Sequence, residues 1–103
     1  MGMAPRFHKL VKSDLRAALA YYDSEGGPLL GDRFFEAVES AISRVMENPR
    51  RFHFVEAGLR RAPLEIFPYH FLYEERGGRI YFLVLRHDRR HPRFGLQRRR
   101  PKI

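Results

Sequence analysis

The stretch LEIFPYHFLYEERGGRIYFLVLRHDRRHPRF (residues 64–94) decides the fold of this chain of 103 residues. Two apolar segments flank Gly77-Gly78, and adjacent glycines can both take the positive φ angles of a two-residue hairpin turn. The segment after the turn is apolar on both faces. One face would carry Ile80, Phe82 and Val84, and the other Tyr81, Leu83 and Leu85. Such a strand is expected at the centre of a sheet, covered on both sides.

The segment before this hairpin, LRRAPLEIF (residues 59–67), also alternates with a period of two and predicts a strand. Its first face would carry Arg60, Ala62, Leu64 and Ile66, and its second Arg61, Pro63 and Glu65. Proline cannot donate to a strand ladder, so this strand is predicted at an edge of the sheet.

The first half of the chain shows helical periodicity after a short strand in RFHKLVK (residues 6–12). Ser13 and Asp14 offer an N-cap to a first helix, which DSEGGP ends. A second helix is predicted from Leu29 to Met46 and ends at Asn48-Pro49, because the residue before proline avoids the helical region. Two helices joined by a short break predict an antiparallel helical hairpin.

The sequence therefore predicts an α+β fold of order β-α-α-β-β-β, a small, mostly antiparallel sheet with one helical hairpin packed on one face. Residues 1–96 would form a single domain, and residues 97–103 a basic C-terminal tail. One hairpin covers only one face, so the face with Tyr81, Leu83 and Leu85, or the opposite one, is expected to meet another protein or a second copy of the chain.

The net charge is +8, and most of it lies at the end of the chain. Residues 86–103 hold seven arginines and Lys102 against the single acid Asp88. This placement suggests an acidic partner, such as nucleic acid, a ribosome or an acidic protein segment, and the alternative is a solvated tail. There is no cysteine and no apolar run long enough for a signal peptide or a membrane span, which predicts a cytoplasmic protein without a membrane partner.

The usual enzyme signatures are missing, and no cofactor is expected. No serine lies in a nucleophile elbow, and Gly26-Gly27 is not part of a phosphate-binding loop. His87 and His91 are four residues apart, but an isolated pair leaving a strand is a weak metal signal, so no metal site is predicted.

A cluster of cations at the end of the last predicted strand is the remaining candidate site. Arginines bind phosphates through bidentate hydrogen bonds, and histidine exchanges protons near neutral pH, so a metal-independent ribonuclease could use such a cluster. Its catalytic candidates are Arg61, His70, His87 and Arg89. The candidates for binding a target or a nucleic acid are Arg60, Arg86, Arg89, Arg90 and Arg93. The alternative is a solvated rim of arginines.

Four segments together resemble the ParE/RelE toxin superfamily, most closely its ParE-type, plasmid-stabilisation branch. They are DLRAALAYY, LGDRFFEAVESAISRVMENP, LRRAPLEIFPYHFLYEE and IYFLVLRHDRRHP, and the resemblance covers the chain from about Phe7 to Phe94. It implies a small basic toxin of a type II toxin–antitoxin pair, neutralised by a cognate antitoxin whose C-terminal segment wraps it. Such an antitoxin would cover the apolar face with Tyr81, Leu83 and Leu85.

The resemblance also implies two alternative targets. RelE-like members cleave messenger RNA on the ribosome, whereas ParE-like members block DNA gyrase without being nucleases. Against the RelE-like site, Arg61 and Pro63 stand where lysines are expected, and His70 stands where an arginine is usual. Arg89 matches a basic position, and Gly95 takes the place of the tyrosine.

These substitutions favour the ParE-like hypothesis, a gyrase-directed toxin that is not an enzyme. The alternatives are a RelE-like ribosome-dependent endoribonuclease that uses histidine and, from a different class, a non-toxic basic nucleic-acid-binding domain that uses residues 97–103. A homodimer remains open under each of them.

Overall fold

The computed structural model describes residues 4–101, which form one helical hairpin against a four-stranded sheet. The elements are β1 (Arg6–Phe7), α1 (Val11–Glu47), β2 (Arg60–Pro63), β3 (Tyr69–Arg76) and β4 (Arg79–His87). The strand order is β1-β4-β3-β2. Only β1 and β4 run parallel, and the other pairs are antiparallel. The predicted α+β architecture and the central position of the last strand are confirmed.

The helical element α1 folds back on itself at Gly27, where φ is 80° and ψ is −178°. The rings of Tyr22 and Phe34 stack with their centroids 4.9 Å apart. In a straight helix, residues twelve positions apart would be about 18 Å apart. The arms of residues 11–26 and 28–47 therefore form the predicted hairpin, and Asn48, the residue before Pro49, ends it as expected.

The predicted N-terminal strand and helix cap were wrong in detail. The strand stops at Phe7, because the Leu10 N–H donates to Nδ1 of His8 in a turn, 3.0 Å away. The helix begins at Val11 with Leu10 at the N-cap position and no side-chain cap. Asp14 lies inside the first turn, and its carboxylate accepts hydrogen bonds from distant parts of the chain instead.

Strand β2 is shorter than the predicted segment of residues 59–67, and it lies at the edge of the sheet as its proline predicted. The chain leaves the ladder after Pro63, because Leu64 and Tyr69 close a loop through a Leu64 N–H to Tyr69 carbonyl bond of 2.9 Å. Ile66 therefore does not join Ala62 on the face that packs on the helices.

The hairpin between β3 and β4 turns at Gly77-Gly78, as predicted. Their φ angles are 60° and 75°, and Arg76 pairs with Arg79 across the turn. Two positive φ angles match the right-handed twist of the strands, which is the reason for two glycines at this position.

A β-bulge in β4 changes which of its side chains face the helices. Leu72 pairs with Val84 and Tyr73 with Phe82, so Leu83 is an extra residue between two paired positions. The predicted alternation was therefore wrong beyond Phe82. Leu85 packs with the helices, and Val84 lies on the opposite face.

Two apolar clusters result, one on each face of the sheet. The larger lies between the sheet and α1 and includes Phe34, Val38, Phe71 and Phe82. The smaller contains Leu59, Leu72, Leu83 and Val84, with Tyr81, Phe94 and Leu96 packed against it. The chain's own segment after β4 packs on this second face, where the sequence predicted contact with another protein or a second copy of the chain.

Candidate functional site

The basic end of the sheet, as we call residues 64–68 together with residues 87–93, forms where β2 and β4 finish and β3 begins. Tyr69 pairs with His87 in the ladder, and the Asp88 N–H donates to the Pro68 carbonyl at 2.8 Å. The antiparallel register thus places the β2–β3 loop beside the segment that follows β4.

Asp88 joins three of the predicted site residues into a network on the second face of the sheet. His70 Nδ1 lies 2.8 Å from Asp88 Oδ1, and an Arg61 terminal nitrogen donates to the same oxygen at 3.1 Å. Arg86 Nε donates to His70 Nε2 at 3.0 Å. The sequence placed Arg61, His70 and Arg86 in one cluster but did not identify Asp88 as its centre.

The network fixes the protonation state of His70, whose exposed fraction is 3%. Arg86 Nε can only donate, so Nε2 of His70 must accept and the ring proton resides on Nδ1, facing the Asp88 carboxylate. Burial, the largest cause, lowers the pKa of His70, and the positive charges of Arg61 and Arg86 lower it further against the hydrogen bond to Asp88. His70 is a neutral ring with both nitrogens engaged.

Arg86 is held from three sides and connects β4 to the segment that follows it. Besides its bond to His70, it donates to the carbonyls of Pro92 and Phe94 at 2.8 and 2.9 Å. Burial lowers the pKa of Arg86. The guanidinium therefore orders the chain after β4 and is not presented to a partner.

The exposed cations of the basic end are Arg89, Arg90 and Arg93. The guanidinium of Arg90 stacks over the Phe94 ring at 3.9 Å. His87 is half-buried, and its Nδ1 accepts the Arg89 N–H at 3.0 Å, which shapes the turn after β4. These three arginines are the exposed members of the predicted site, whereas Arg60, Arg61, Arg86 and His87 are half-buried.

Arg60 lies on the other side of the sheet from Arg61, because the side chains of successive strand residues point to opposite faces. It donates to the carbonyls of Arg50 and Phe52 and stacks over Phe54, with 3.9 Å to the ring centroid. Its contacts hold the loop after α1, away from the Asp88 network.

The three residues predicted to contact another protein are differently placed. Leu83 is fully buried in the smaller cluster, and Leu85 lines the floor of a groove beside β1. Tyr81 is half-buried, and burial raises the pKa of its hydroxyl. Leu83 and Leu85 are both almost fully buried, so of the three only Tyr81 is partly exposed.

Residues 97–101 pack against the domain, although the sequence predicted a tail. Arg98 forms a bidentate ion pair with Asp14, with bonds of 2.7 and 2.8 Å, and also donates to the Leu83 carbonyl. Arg100 donates to Glu74. The basic run marks this segment in the sequence, but only the fold supplies its carboxylate partners. Lys102 lies outside the described residues.

Gly95 occupies the position where the superfamily resemblance places a tyrosine. Its φ is 84°, and a Cβ at this position would collide with the side chain of Val84. Backbone conformation and packing both exclude a larger residue here.

An open apolar groove of about 590 Å³ runs between β1 and the two arms of α1. Phe7, Leu15, Phe35 and Ile42 line it, while Lys9 and Lys12 stand among its polar residues. Phe7 and Phe35 are exposed in this structure. The sequence did not single out this groove, because its residues are spread over a strand and both arms.

Residues 4–101 contain no group of three histidine, cysteine, aspartate or glutamate side chains that could hold a metal ion. In the same part of the chain, no helix combines the length and apolarity needed to cross a membrane.

The fold and the site define a small α+β domain that presents three exposed arginines, Arg89, Arg90 and Arg93, at one end of a mixed sheet. Residues 6–92 match the family model described as the ParE toxin of the type II toxin-antitoxin system, parDE. The chain therefore belongs to the ParE toxin family.

Structural comparison agrees with this assignment at the level of the fold. A solved structure of the chromosomal ParDE TA system from P. aeruginosa is similar with a TM-score of 0.75 and 18% sequence identity. The match covers 82% of this chain and 95% of that chain. No match was found among curated proteins.

Proposed function

We propose that this ParE-family toxin arrests bacterial growth by acting on DNA gyrase, without cleaving RNA, and that a cognate antitoxin neutralises it. The family supports the toxin class. The observation that carries the choice against a nuclease is the Asp88 network, in which His70 is buried, neutral and bonded through both nitrogens.

A metal-independent ribonuclease needs groups that reach the RNA and exchange protons. His70 would have to break two hydrogen bonds to do so, and Arg61 is paired with Asp88. Pro63 has no functional group, and the tyrosine position is the packed Gly95. The fold uses these positions for its own stability, which supports a toxin that acts by binding.

His87 and Arg89 are the catalytic candidates that the Asp88 network does not include. His87 borders a cleft that Tyr69 and Arg90 also line. Under the proposed function, these residues shape a binding surface for the target protein. His87 is only half-buried and could therefore reach an RNA substrate. For this reason the proposal must be tested against RNA cleavage.

The groove beside β1 is the surface that we assign to the antitoxin. Its apolar lining fits an apolar segment of a partner, and β1 lies at an edge of the sheet, where a further strand can pair. Lys9 and Lys12 outnumber Glu39, the acid in the lining of this groove, and complement acidic side chains of such a segment. Leu85, predicted to contact the antitoxin, contributes to this groove.

The test uses the purified chain in two reactions run side by side. One is supercoiling of relaxed plasmid by DNA gyrase, and the other is cleavage of messenger RNA in a reconstituted translation mixture. We expect inhibited supercoiling, intact RNA and restored supercoiling when the antitoxin is added in equimolar amount. Cleaved RNA with unaffected supercoiling would establish the ribosome-dependent alternative and end this proposal.

A further inference from the structure

The β2–β3 loop presents one aliphatic side chain entirely to solvent. Ile66 is 96% exposed, the highest value among the exposed large hydrophobic residues described. Its φ is 74°, in the left-handed region that β-branched residues rarely adopt because their Cβ is crowded by the backbone. The Phe67 N–H to Glu65 carbonyl bond of 2.8 Å makes Ile66 the centre of a strained three-residue turn.

The rest of this loop is held firmly. Leu64 is buried, and Phe67 packs edge-on against the rings of Tyr22 and Phe34, with centroids 5.0 and 5.1 Å away. The Pro68 carbonyl accepts the Asp88 N–H. The exposure of Ile66 is therefore imposed by fixed neighbours on both sides, and the side chain is pre-organised for contact with a partner.

The charged side chains around the β2–β3 loop indicate what kind of surface the partner presents. Pro68 bonds the residue that precedes Arg89, and Arg90 shares a cleft with Tyr69, which closes the loop. Arg89 and Arg90 are both exposed. The acids beside them are Glu65 in the loop and Asp88, whose carboxylate is bound by Arg61 and His70. This surface thus presents one exposed aliphatic side chain, Ile66, together with the exposed cations Arg89 and Arg90.

We propose that Ile66 is the anchor by which this toxin engages its target protein, inserting into an apolar socket whose rim carries carboxylates that meet Arg89 and Arg90. The inference rests on the proposed function, since it names the contact point of the same toxin. An aliphatic side chain gains affinity by leaving water for an apolar pocket, which a protein surface supplies. The groove beside β1 lies on a different part of the molecule, so the antitoxin and the target use separate surfaces.

The test compares Ile66→Gly and Ile66→Asn with wild type. Both residues tolerate a positive φ, so the thermal midpoint should be unchanged or raised. Affinity for reconstituted DNA gyrase should fall by about 10- to 100-fold. This is the change expected when one large aliphatic side chain is no longer buried in the complex. The inducer level needed for growth arrest should rise, and affinity for the antitoxin should stay at the wild-type value. Leu29→Ala removes another exposed aliphatic side chain, from the helical hairpin, and should behave as wild type.

Each other outcome overturns the inference. If Ile66→Gly arrests growth like wild type, Ile66 is not the anchor, although the proposed function stands. If the variants lose affinity for the antitoxin, the loop binds the antitoxin and not the target. If they lose about 10- to 100-fold in affinity for a DNA duplex without gyrase, the loop binds DNA and not a protein socket. If the wild-type chain itself fails to arrest growth, the proposed function is wrong and the inference falls with it.

Discussion

His70 illustrates how a residue type suited to catalysis is used structurally in this chain. It lies between a carboxylate on Nδ1 and a guanidinium on Nε2, and the bond that Nε2 accepts from Arg86 requires the neutral ring. Protonation at Nε2 would bring a second donor against Arg86 and break the network. The ring therefore links the end of β4 to the start of β3.

Folding stability should depend on pH through His70. In the unfolded chain its pKa is near the ordinary 6.5, whereas burial first and the two arginines next lower the pKa in the folded chain. Below about pH 6.5, the unfolded chain binds a proton that the folded chain does not. The free energy of unfolding should therefore fall as the pH falls below this value, as urea titrations between pH 7 and pH 5 would measure.

The variant His70→Gln isolates this contribution, because an amide can accept from Arg86 and donate to Asp88 but does not titrate. Its stability should fall less steeply below pH 6.5 than that of wild type. A residual slope is expected from His8, whose pKa burial and Arg98 also lower. Toxicity should be retained. A wild-type pH slope in the variant would refute the linkage, and lost toxicity in a stable variant would point to catalysis.

Gly95 should be intolerant of any side chain. The variant Gly95→Ala places a Cβ at positive φ and against Val84, and the strain and overpacking together should cost about 2–4 kcal/mol of unfolding free energy. Gly58→Ala is the matched control, because φ is 72° but no atom lies within 4 Å of the added Cβ. It should lose about 1 kcal/mol. Equal losses in denaturant titrations would show that Val84 does not exclude a side chain.

At the scale of elements, the segment after β4 completes the fold by covering the second face of the sheet. Phe94 and Leu96 contribute the apolar contacts, and Arg98 ties the segment to Asp14 at the start of α1. The side chains of this ion pair are buried, with exposed fractions of 9% and 7%. Removing one partner leaves a buried charge uncompensated.

Arg98→Met should lower the free energy of unfolding by about 3 kcal/mol, because it leaves the Asp14 carboxylate buried without its cation. Arg99→Ala, one residue along and exposed, is the control and should change it by no more than about 0.5 kcal/mol. Chemical denaturation monitored by circular dichroism measures both. A stable Arg98→Met variant would mean that the C-terminal segment contributes little to folding.

Elements set by local chemistry were predictable from the sequence. Gly77-Gly78 fixes its turn through φ alone, and Gly27 and Asn48 interrupt the helices whatever surrounds them. The bulge at Leu83 was not predictable. A one-residue shift exchanges the two faces of a strand, and in a segment that is apolar on both faces this exchange leaves the hydrophobic pattern unchanged. The local sequence around Asp14 predicts a helix cap, but its carboxylate instead binds Arg98, which is 84 positions away in the chain.

The candidate site was predictable in composition and only partly in geometry. The residue types of Arg61, His70 and Arg86 indicated a cluster, and antiparallel pairing brings them together. In the sequence, Asp88 is a single acid among arginines, and no motif indicates that it accepts hydrogen bonds from both Arg61 and His70. Ile66 fits the strand alternation, so its exposure depends on a turn that the sequence does not reveal.

At the scale of the whole molecule, exposed cations occur on several surfaces, and three of them, Arg89, Arg90 and Arg93, lie at the basic end. The tip of the helical hairpin lies toward this same end, since Tyr22 and Phe34 contact Phe67. If Ile66 is the anchor, the three arginines steer an acidic partner toward it. Electrostatic steering of this kind weakens as salt is added, since the Debye length shortens to about 8 Å at physiological ionic strength.

The double variant Arg89→Ala/Arg90→Ala should abolish growth arrest while changing the free energy of unfolding by no more than about 1 kcal/mol, because both side chains are exposed. Arg16→Ala/Arg33→Ala removes the same charge from exposed positions on α1 and should remain toxic. Colony counts after induction, with thermal melts of the purified proteins, measure the two effects. Full toxicity of the first variant would exclude the basic end as the target surface.

The action of this ParE-family toxin on gyrase and not on messenger RNA is tested most directly by pulse-labelling in the first minutes after induction. DNA synthesis and protein synthesis are followed in the same culture, with and without the antitoxin gene. DNA synthesis should stop first, cells should filament, and the antitoxin should prevent both effects. Arrest of protein synthesis before DNA synthesis would contradict action on gyrase.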